Sequence, residues 1–298
     1  MFRVLSPFDY EEPKTVAEAA GILVSAGSKG AVLAGGLTLI DNMKKGKVKP
    51  DVVVALGCIP DLNHLEIDED GCLRIGALAT IRDLERFSEA DQKFTALFEA
   101  ASQIASVQVK TMGTVVGNVC VGTPASDLVP PLIASGAEVK ISGPENSSKK
   151  MLLEDIYQDH RLTVLKFGEI VTELVVPPLK PGMTSAFLNL LRSKSDIPKV
   201  SVAVNVTVKD GICEMARIAL GAVAPTIVRA KAAEDKILGK RIDDAAINAA
   251  VEAVAANGVI DPITDIRSTA DYRKEMAAQL VKRALIKCLD NLKSQGMS

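Results

Sequence analysis

Lys110-Thr111-Met112-Gly113-Thr114-Val115-Val116-Gly117-Asn118-Val119-Cys120-Val121-Gly122-Thr123-Pro124-Ala125-Ser126-Asp127-Leu128-Val129-Pro130-Pro131 spaces three glycines among β-branched residues and closes on a rigid Pro124 and a carboxylate, Asp127. That much glycine reads as neither an ordinary strand nor an ordinary helix. Glycine is favoured where backbone turns sharply or must approach a ligand closely. Thr114, Asn118, Thr123 and Ser126 add short polar side chains, so the segment suits a polar, phosphate-bearing molecule held by main-chain and hydroxyl hydrogen bonds. Taken alone, the same composition also fits a tight structural loop.

A second stretch shifts that balance. Leu33-Ala34-Gly35-Gly36-Leu37-Thr38-Leu39 follows Ala31 and Val32, read as a short buried strand, and precedes residues 40–43, read as a helical turn. Gly-Gly after a strand presents successive N–H groups as an anion nest. The chain contains neither G-x-x-x-x-G-K-[ST] nor G-x-G-x-x-G, which disfavours a nucleotide hydrolase. Two glycine loops then suggest one long ligand with a pyrophosphate at its middle.

Outward from these loops, Val16, Ala19, Ala20, Leu23 and Val24 repeat at helical spacing after Pro13, and residues 31–34 and 52–56 read as buried strands of a small α/β unit. Lys44, Lys45, Lys47 and Lys49 lie between those strands, as a solvated loop or as phosphate ligands. Leu65 and Ile67, the turn Asp68-Glu69-Asp70-Gly71, and residues 73–77 make a hairpin signature. Thr80 with Asp83 forms a capping box for a helix over 81–88. Helices are expected over 94–104 and 128–135 and a strand over 137–142; Asp127 then reads as a ligand-binding carboxylate or as an N-cap. Residues 167–176 form an apolar strand, 177–182 a linker, and 200–208 and 212–223 two strands joined by a tight turn. Ala-rich helices follow over 245–256 and 270–292. The fold class is therefore α+β, with two domains.

Composition bounds the rest. At 298 residues the chain accommodates two domains, and 48% apolar with 24% charged residues is typical of a globular protein. A net charge of -2 and 3% aromatics offer neither a basic patch nor stacking platforms for nucleic acid. No apolar run reaches the roughly 18 to 20 residues that span a bilayer, and Asp9, Glu11 and Glu12 interrupt any secretory signal, so the protein reads as cytoplasmic. Cys58, Cys72, Cys120, Cys213 and Cys288 are widely spaced and read as reduced, mostly buried thiols. His64 and His160, the two histidines, suggest neither a metal site nor a triad.

Ala34-Gly35-Gly36-x-Thr38-Leu39, Ile75-Gly76-Ala77-x-x-Thr80, and Gly113-Thr114-x-x-Gly117-Asn118 leading to Pro124-x-x-Asp127-Leu128 occur here in a fixed order. So do the stretch from Ala216 to Thr226 and Asp265-Ile266-Arg267-Ser268-Thr269-Ala270-Asp271-Tyr272-Arg273. Together they resemble the FAD-binding medium subunit of the molybdenum hydroxylases, of carbon monoxide dehydrogenase and xanthine dehydrogenase type. The resemblance implies a two-part FAD-binding domain of the PCMH type over 1–177, with subdomains about 1–56 and 57–177, then a CO dehydrogenase flavoprotein C-terminal-like domain over 183–293. It implies that Leu33, Ala34, Gly35, Gly36, Leu37, Thr38 and Leu39 hold the FAD pyrophosphate. Gly113, Thr114, Val115, Val116, Gly117 and Asn118 would complete the cradle, with Thr123 beside it and Asp127 accepting from cofactor hydroxyls. Ile104 and Leu174 match positions lining the pocket; plain core packing is the other reading of both. Electrons would pass from 2Fe-2S centres of a small subunit through FAD to NAD, a quinone or dioxygen. Substrate would be oxidised at the molybdenum cofactor of a large subunit. The flavin carries that chemistry, and no catalytic acid, base or metal ligand is assigned to this chain.

The sequence departs from the family at identifiable places. Val116-Gly117 stands where Gly-Gly is common, a strained arrangement if Val116 needs positive φ, and an extended backbone is the expectation. Lys110 and Thr111 replace an Arg and Asn, and Leu188 and Asn189 occupy a region that often carries a Lys after the aromatic matching Phe187. A stand-alone flavin oxidase or dehydrogenase is one rival reading. A scaffold that has lost FAD, supported by Val116, is another.

Overall fold

The computed structural model describes residues 4–87, 94–256, 258 and 260–294. Strands β1 (Asp9–Glu11), β2 (Gly30–Leu33) and β3 (Val52–Ala55) form a parallel sheet in the order β1-β3-β2, with Asp9 and Gly30 both in register with Val52. Parallel strands need crossovers, and helices α1 (Val16–Ala26) and α2 (Leu37–Lys44) supply them. Thr15 caps α1 by accepting from Glu18 N, and Ala19, Ala20 and Leu23 form its buried stripe. Gly27, at φ 53, ends it in a conformation that a side chain would strain.

The second sheet is antiparallel, in the order β4-β5-β10-β6-β7: β4 (Leu65–Ile67), β5 (Leu73–Gly76), β6 (Glu138–Ser142), β7 (Ser148–Leu152) and β10 (Ile170–Val176). A small ribbon of β8 (Tyr157–Asp159) and β9 (Leu162–Thr163) lies between β7 and β10 in the chain. All of β10 is buried, including the two polar residues that interrupt its apolar sequence, Thr172 and Glu173, the latter paired with Arg74 Nη2 at 2.6 Å. It starts at Ile170 rather than Phe167, because Gly168 turns at φ 84 and Glu169 accepts from Lys166 N at 2.9 Å.

Between β5 and β6 the described residues form the short helices α3 (Ile81–Arg86), α4 (Thr95–Gln103), α5 (Val107–Met112), α6 (Val115–Cys120) and α7 (Val129–Ala134). The capping box at α3 is complete: Asp83 N donates to Thr80 Oγ1 at 3.0 Å and Thr80 N to Asp83 Oδ2 at 3.0 Å. Thr80→Ala is expected to cost about 1 kcal/mol, measured as a lowered urea midpoint at unchanged slope. Ser88, the expected end of this helix, lies outside the described residues.

Beyond residues 177–182, β11 (Met183–Leu190), β12 (Val200–Lys209), β13 (Ile212–Gly221) and β14 (Val228–Arg229) form an antiparallel sheet in chain order. Helices α8 (Lys231–Ile237), α9 (Asp244–Ala255) and α10 (Ala270–Ser294) bury their apolar stripes with this sheet in a second core. Helix α8, which has no capping side chain, and the two-residue strand β14 add to the elements expected from the sequence. The fold is thus α+β. Its two parts meet along α4: Glu99 Oε2 accepts from Phe187 N at 2.8 Å, Glu99 Oε1 pairs with Lys287 Nζ at 2.5 Å, and Ala96 N donates to Ser185 Oγ at 3.1 Å. Phe187, fully buried, packs in the first core although it stands on the second sheet.

The run 110–131 is not the irregular glycine loop that its composition suggested, since α5, α6 and α7 account for much of it. Ser106 caps α5 by accepting from Val109 N, and Thr114 caps α6 by accepting from Gly117 N. Two N-cap hydroxyls outweigh the low helix propensity of a few glycines and valines. Val116 consequently lies in α6, neither extended nor at positive φ, with its side chain in the first core.

Candidate functional site

Strand β2 runs into Ala34-Gly35-Gly36, and α2 starts at once. Gly36 takes φ 74 as the residue ahead of α2 and offers no side-chain cap. The first-turn N–H groups of Leu37, Thr38 and Leu39 lack intrahelical partners and face the loop end of the helix. The lysines at 44–49 sit at or beyond the other end of α2, and Lys45 pairs with Asp41 at 2.5 Å. They are therefore a solvated surface, not ligands at the Gly-Gly end.

Gly35 shows how tightly this loop meets the second one. A β-carbon on it would stand 2.1 Å from Met112 O and 3.1 Å from Gly113 Cα, and one on Gly113 would stand 3.1 Å from Leu37 Cδ1. Gly35 is required by contact, not by φ, and Gly113 is closely packed, its β-carbon position 3.0 Å from Val109 O. The second segment is then pinned from the β5 side, where Ile81 N donates to Gly113 O at 2.9 Å and Val115 N to Ala79 O at 3.0 Å.

Within α6, Gly117 N donates to Thr114 Oγ1 at 2.9 Å and Asn118 N to Thr114 O at 3.0 Å. Most of its early N–H groups are thus engaged within the protein. Asn118 Oδ1 is different, being buried without a hydrogen-bond partner. A buried acceptor in that state costs stability unless a ligand or water supplies a donor. Gly122, at φ 62, lets Arg161 N reach its carbonyl at 2.8 Å, and Tyr157 Oη donates to Val119 O at 3.1 Å. The ribbon therefore braces the end of α6, which local sequence did not reveal.

Asp127 is partly buried, and Asn189 Nδ2 donates to its Oδ1 at 3.2 Å. It does not cap α7: Leu128 holds that position, and no side chain bonds there. The N-cap alternative for Asp127 therefore falls. Burial pushes its carboxyl up to about 6 against the smaller opposing effect of Asn189. Since that exceeds the unfolded value of about 3.9, the stability this group contributes is full below that value and is lost as pH rises through about 6. Asp127→Asn is expected to stabilise the ligand-free chain by on the order of 2 kcal/mol at about pH 8, and negligibly at about pH 4, in paired urea titrations.

The structure brings the Leu33 to Leu39 loop against Met112 and Gly113. It also ties Ser126 Oγ to Asn118 O at 3.2 Å, while Thr123 O accepts from Ser126 N. Ile104 and Leu174 are enclosed in the first core, Leu174 in register with Ile75 on one side and Val139 on the other. Cys213 and Cys288 are fully buried and the other three thiols partly so, and all five are free. Among the described residues no helix is long and apolar enough to cross a membrane.

An elongated anionic group with hydroxyls fits this donor and acceptor set: a helix N-terminus behind a glycine pair, an unpartnered buried amide oxygen and a carboxylate. Comparison with known proteins agrees. Residues 6–179 match the family model of the FAD binding domain in molybdopterin dehydrogenase, and 185–288 that of the CO dehydrogenase flavoprotein C-terminal domain. The carbon monoxide dehydrogenase medium chain of Hydrogenophaga pseudoflava is 33% identical over 93% of this chain and 96% of its own. The xanthine dehydrogenase FAD-binding subunit of Escherichia coli O157:H7 is 25% identical over 93% and 94%. A solved carbon monoxide dehydrogenase from H. pseudoflava superposes with a TM-score of 0.92 at 33% identity, covering 97% of this chain and 99% of the matched one.

Proposed function

Because the chain belongs to the family of FAD-binding medium subunits of the molybdenum hydroxylases, we propose that it is the electron-transfer subunit of such a multi-subunit complex. It binds FAD and is an oxidoreductase subunit of carbon monoxide and xanthine dehydrogenase type. The observation that carries the reading is the closure of two glycine segments on each other, with Gly35 against Met112 O at the mouth of α2.

When bound, FAD supplies the redox chemistry, and this chain supplies binding and orientation. In our reading Leu33 to Leu39 receive the pyrophosphate at the start of α2. Gly113 to Asn118 with Thr123 form the facing wall, and Asp127 and Asn118 Oδ1 accept from cofactor hydroxyls. Ile104 and Leu174 enter as packing beneath that wall. Residues 1–177 form the FAD-binding domain, divided near residue 56, and 183–293 the C-terminal domain. Electrons arrive from a 2Fe-2S small subunit, fed by a molybdopterin-binding large subunit, and leave to NAD, a quinone or dioxygen. Five free thiols fit a cytoplasmic complex.

Val116 had supported the scaffold reading, and its helical, buried place removes the backbone strain on which that reading rested. Affinity capture of the tagged chain from its native cells tests the proposal, with visible spectra and molybdenum and iron analysis of the eluate. Flavin with both metals in co-purifying chains is the expected result. Flavin with neither metal nor partner would make it a stand-alone flavoenzyme.

A further inference from the structure

Two hydrogen bonds run from the C-terminal sheet into residues 123–127, which connect α6 to α7. Asn189 Nδ2, on β11, donates to Asp127 Oδ1 at 3.2 Å, and Ala222 N, just beyond β13, donates to Pro124 O at 2.7 Å. Ala222 adopts φ 62, a left-handed conformation that a side chain disfavours, so something must hold it there. Arg273, buried on α10, does so. Its Nη1 donates to Ala222 O at 3.2 Å and to Lys199 O at 2.7 Å, and its Nη2 to Asp265 Oδ1 at 2.8 Å. Asp265 is fixed in turn by the N–H groups of Arg267 and Ser268. The adjoining Gly221 leaves no slack, since a β-carbon there would stand 2.3 Å from Ser201 Oγ and 3.1 Å from Pro124 O.

The clamped segment passes this constraint on. Ser126 Oγ donates to Asn118 O, on the residue whose Oδ1 has no partner. A buried arginine, a left-handed alanine and an excluded β-carbon thus converge on the segment that carries the carboxylate. Binding costs less when the receiving groups are already fixed.

We propose that the C-terminal domain completes the FAD site: Asn189 is a positioning residue for Asp127, and Asp265, Arg273 and Ala222 form a second positioning unit that fixes Pro124. This rests on the reading of Asp127 as an acceptor for cofactor hydroxyls. Asn189 acts through one carboxylate, so its contribution vanishes when that carboxylate is removed, whereas a general packing role would persist.

The test is a double-mutant cycle on the full chain, reading FAD affinity by flavin fluorescence and unfolding midpoint without FAD. Asp127→Ala and Asn189→Leu each weaken FAD binding by about tenfold or more, and the double variant binds within about threefold of Asp127→Ala. Arg273→Lys keeps the charge, loses the fork and weakens FAD binding by about fivefold. Should Asn189→Leu fail to fold, Asn189→Ser replaces it in the same cycle. Wild-type affinity in the Asn189 variant, or losses that multiply in the double variant, overturns the inference while leaving Asp127 in place. Wild-type affinity in Asp127→Ala overturns the underlying reading, and the inference with it.

Discussion

Gly35→Ala is expected to weaken FAD binding by about a hundredfold or more and to destabilise the chain by roughly 2–4 kcal/mol. The new methyl carbon would stand 2.1 Å from Met112 O, a backbone atom that cannot rotate away. The segment it meets is held on both sides: Gly113 N donates to Val109 O at 2.7 Å, and Ile81 N to Gly113 O at 2.9 Å. Either the first loop lifts off the second or α5 shifts, and both open the cradle. The effect is steric rather than conformational, because Gly35 lies outside the left-handed region that Gly36 occupies at φ 74. FAD titration and urea unfolding of the same sample measure the two effects. Unchanged affinity in a folded variant would mean that the pyrophosphate does not sit at this contact.

Glu85→Leu is expected to cost roughly 3–5 kcal/mol. Lys110 is buried, and its ammonium is held by Glu85 Oε1 at 2.6 Å and Ser102 O at 2.8 Å. Removing the carboxylate leaves a buried cation with one carbonyl, while Glu85→Leu combined with Lys110→Met replaces the whole pair by apolar atoms and is expected to recover most of the loss. Burial acts to raise the Glu85 carboxyl, but bonds from Lys110 and Arg82 outweigh it and hold the group below the ordinary carboxylate range. With the folded value depressed, the pair contributes fully above the unfolded value of about 4.3 and is lost as pH falls through the folded one. The penalty of Glu85→Leu should therefore shrink in acid, which urea titrations at two pH values would show. Because α5 carries Met112 to the Gly35 contact, FAD binding should weaken alongside stability.

What the sequence made legible was local. The stripe of α1, the hairpin of β4 and β5, the capping box at Thr80 and the Gly-Gly loop each depend on residues a few positions apart, so spacing alone exposes them. The run 110–131 was harder, because glycine there has three different tasks. Gly113 admits a neighbouring loop and Gly122 turns the chain beside Arg161. Gly117 sits inside a helix, where a β-carbon would crowd Thr114 Oγ1 at 2.6 Å and obstruct the cap. Composition cannot separate these. Asn189 stands 62 residues from Asp127, and nothing local to either one signals the bond. The same holds for Ala222 and Pro124, whose pairing exists only once two domains have packed. The carboxylate could be singled out from its motif, but not the groups that position it.

Amide hydrogen exchange of the full chain with and without FAD tests the site most directly. Slowed exchange at Gly35, Gly36, Leu37 and Thr38, accompanied by Val116, is the result expected if the start of α2 and the opening turn of α6 receive the cofactor together. FAD binding that leaves these amides unchanged and protects others would contradict the account and place the flavin elsewhere on the fold.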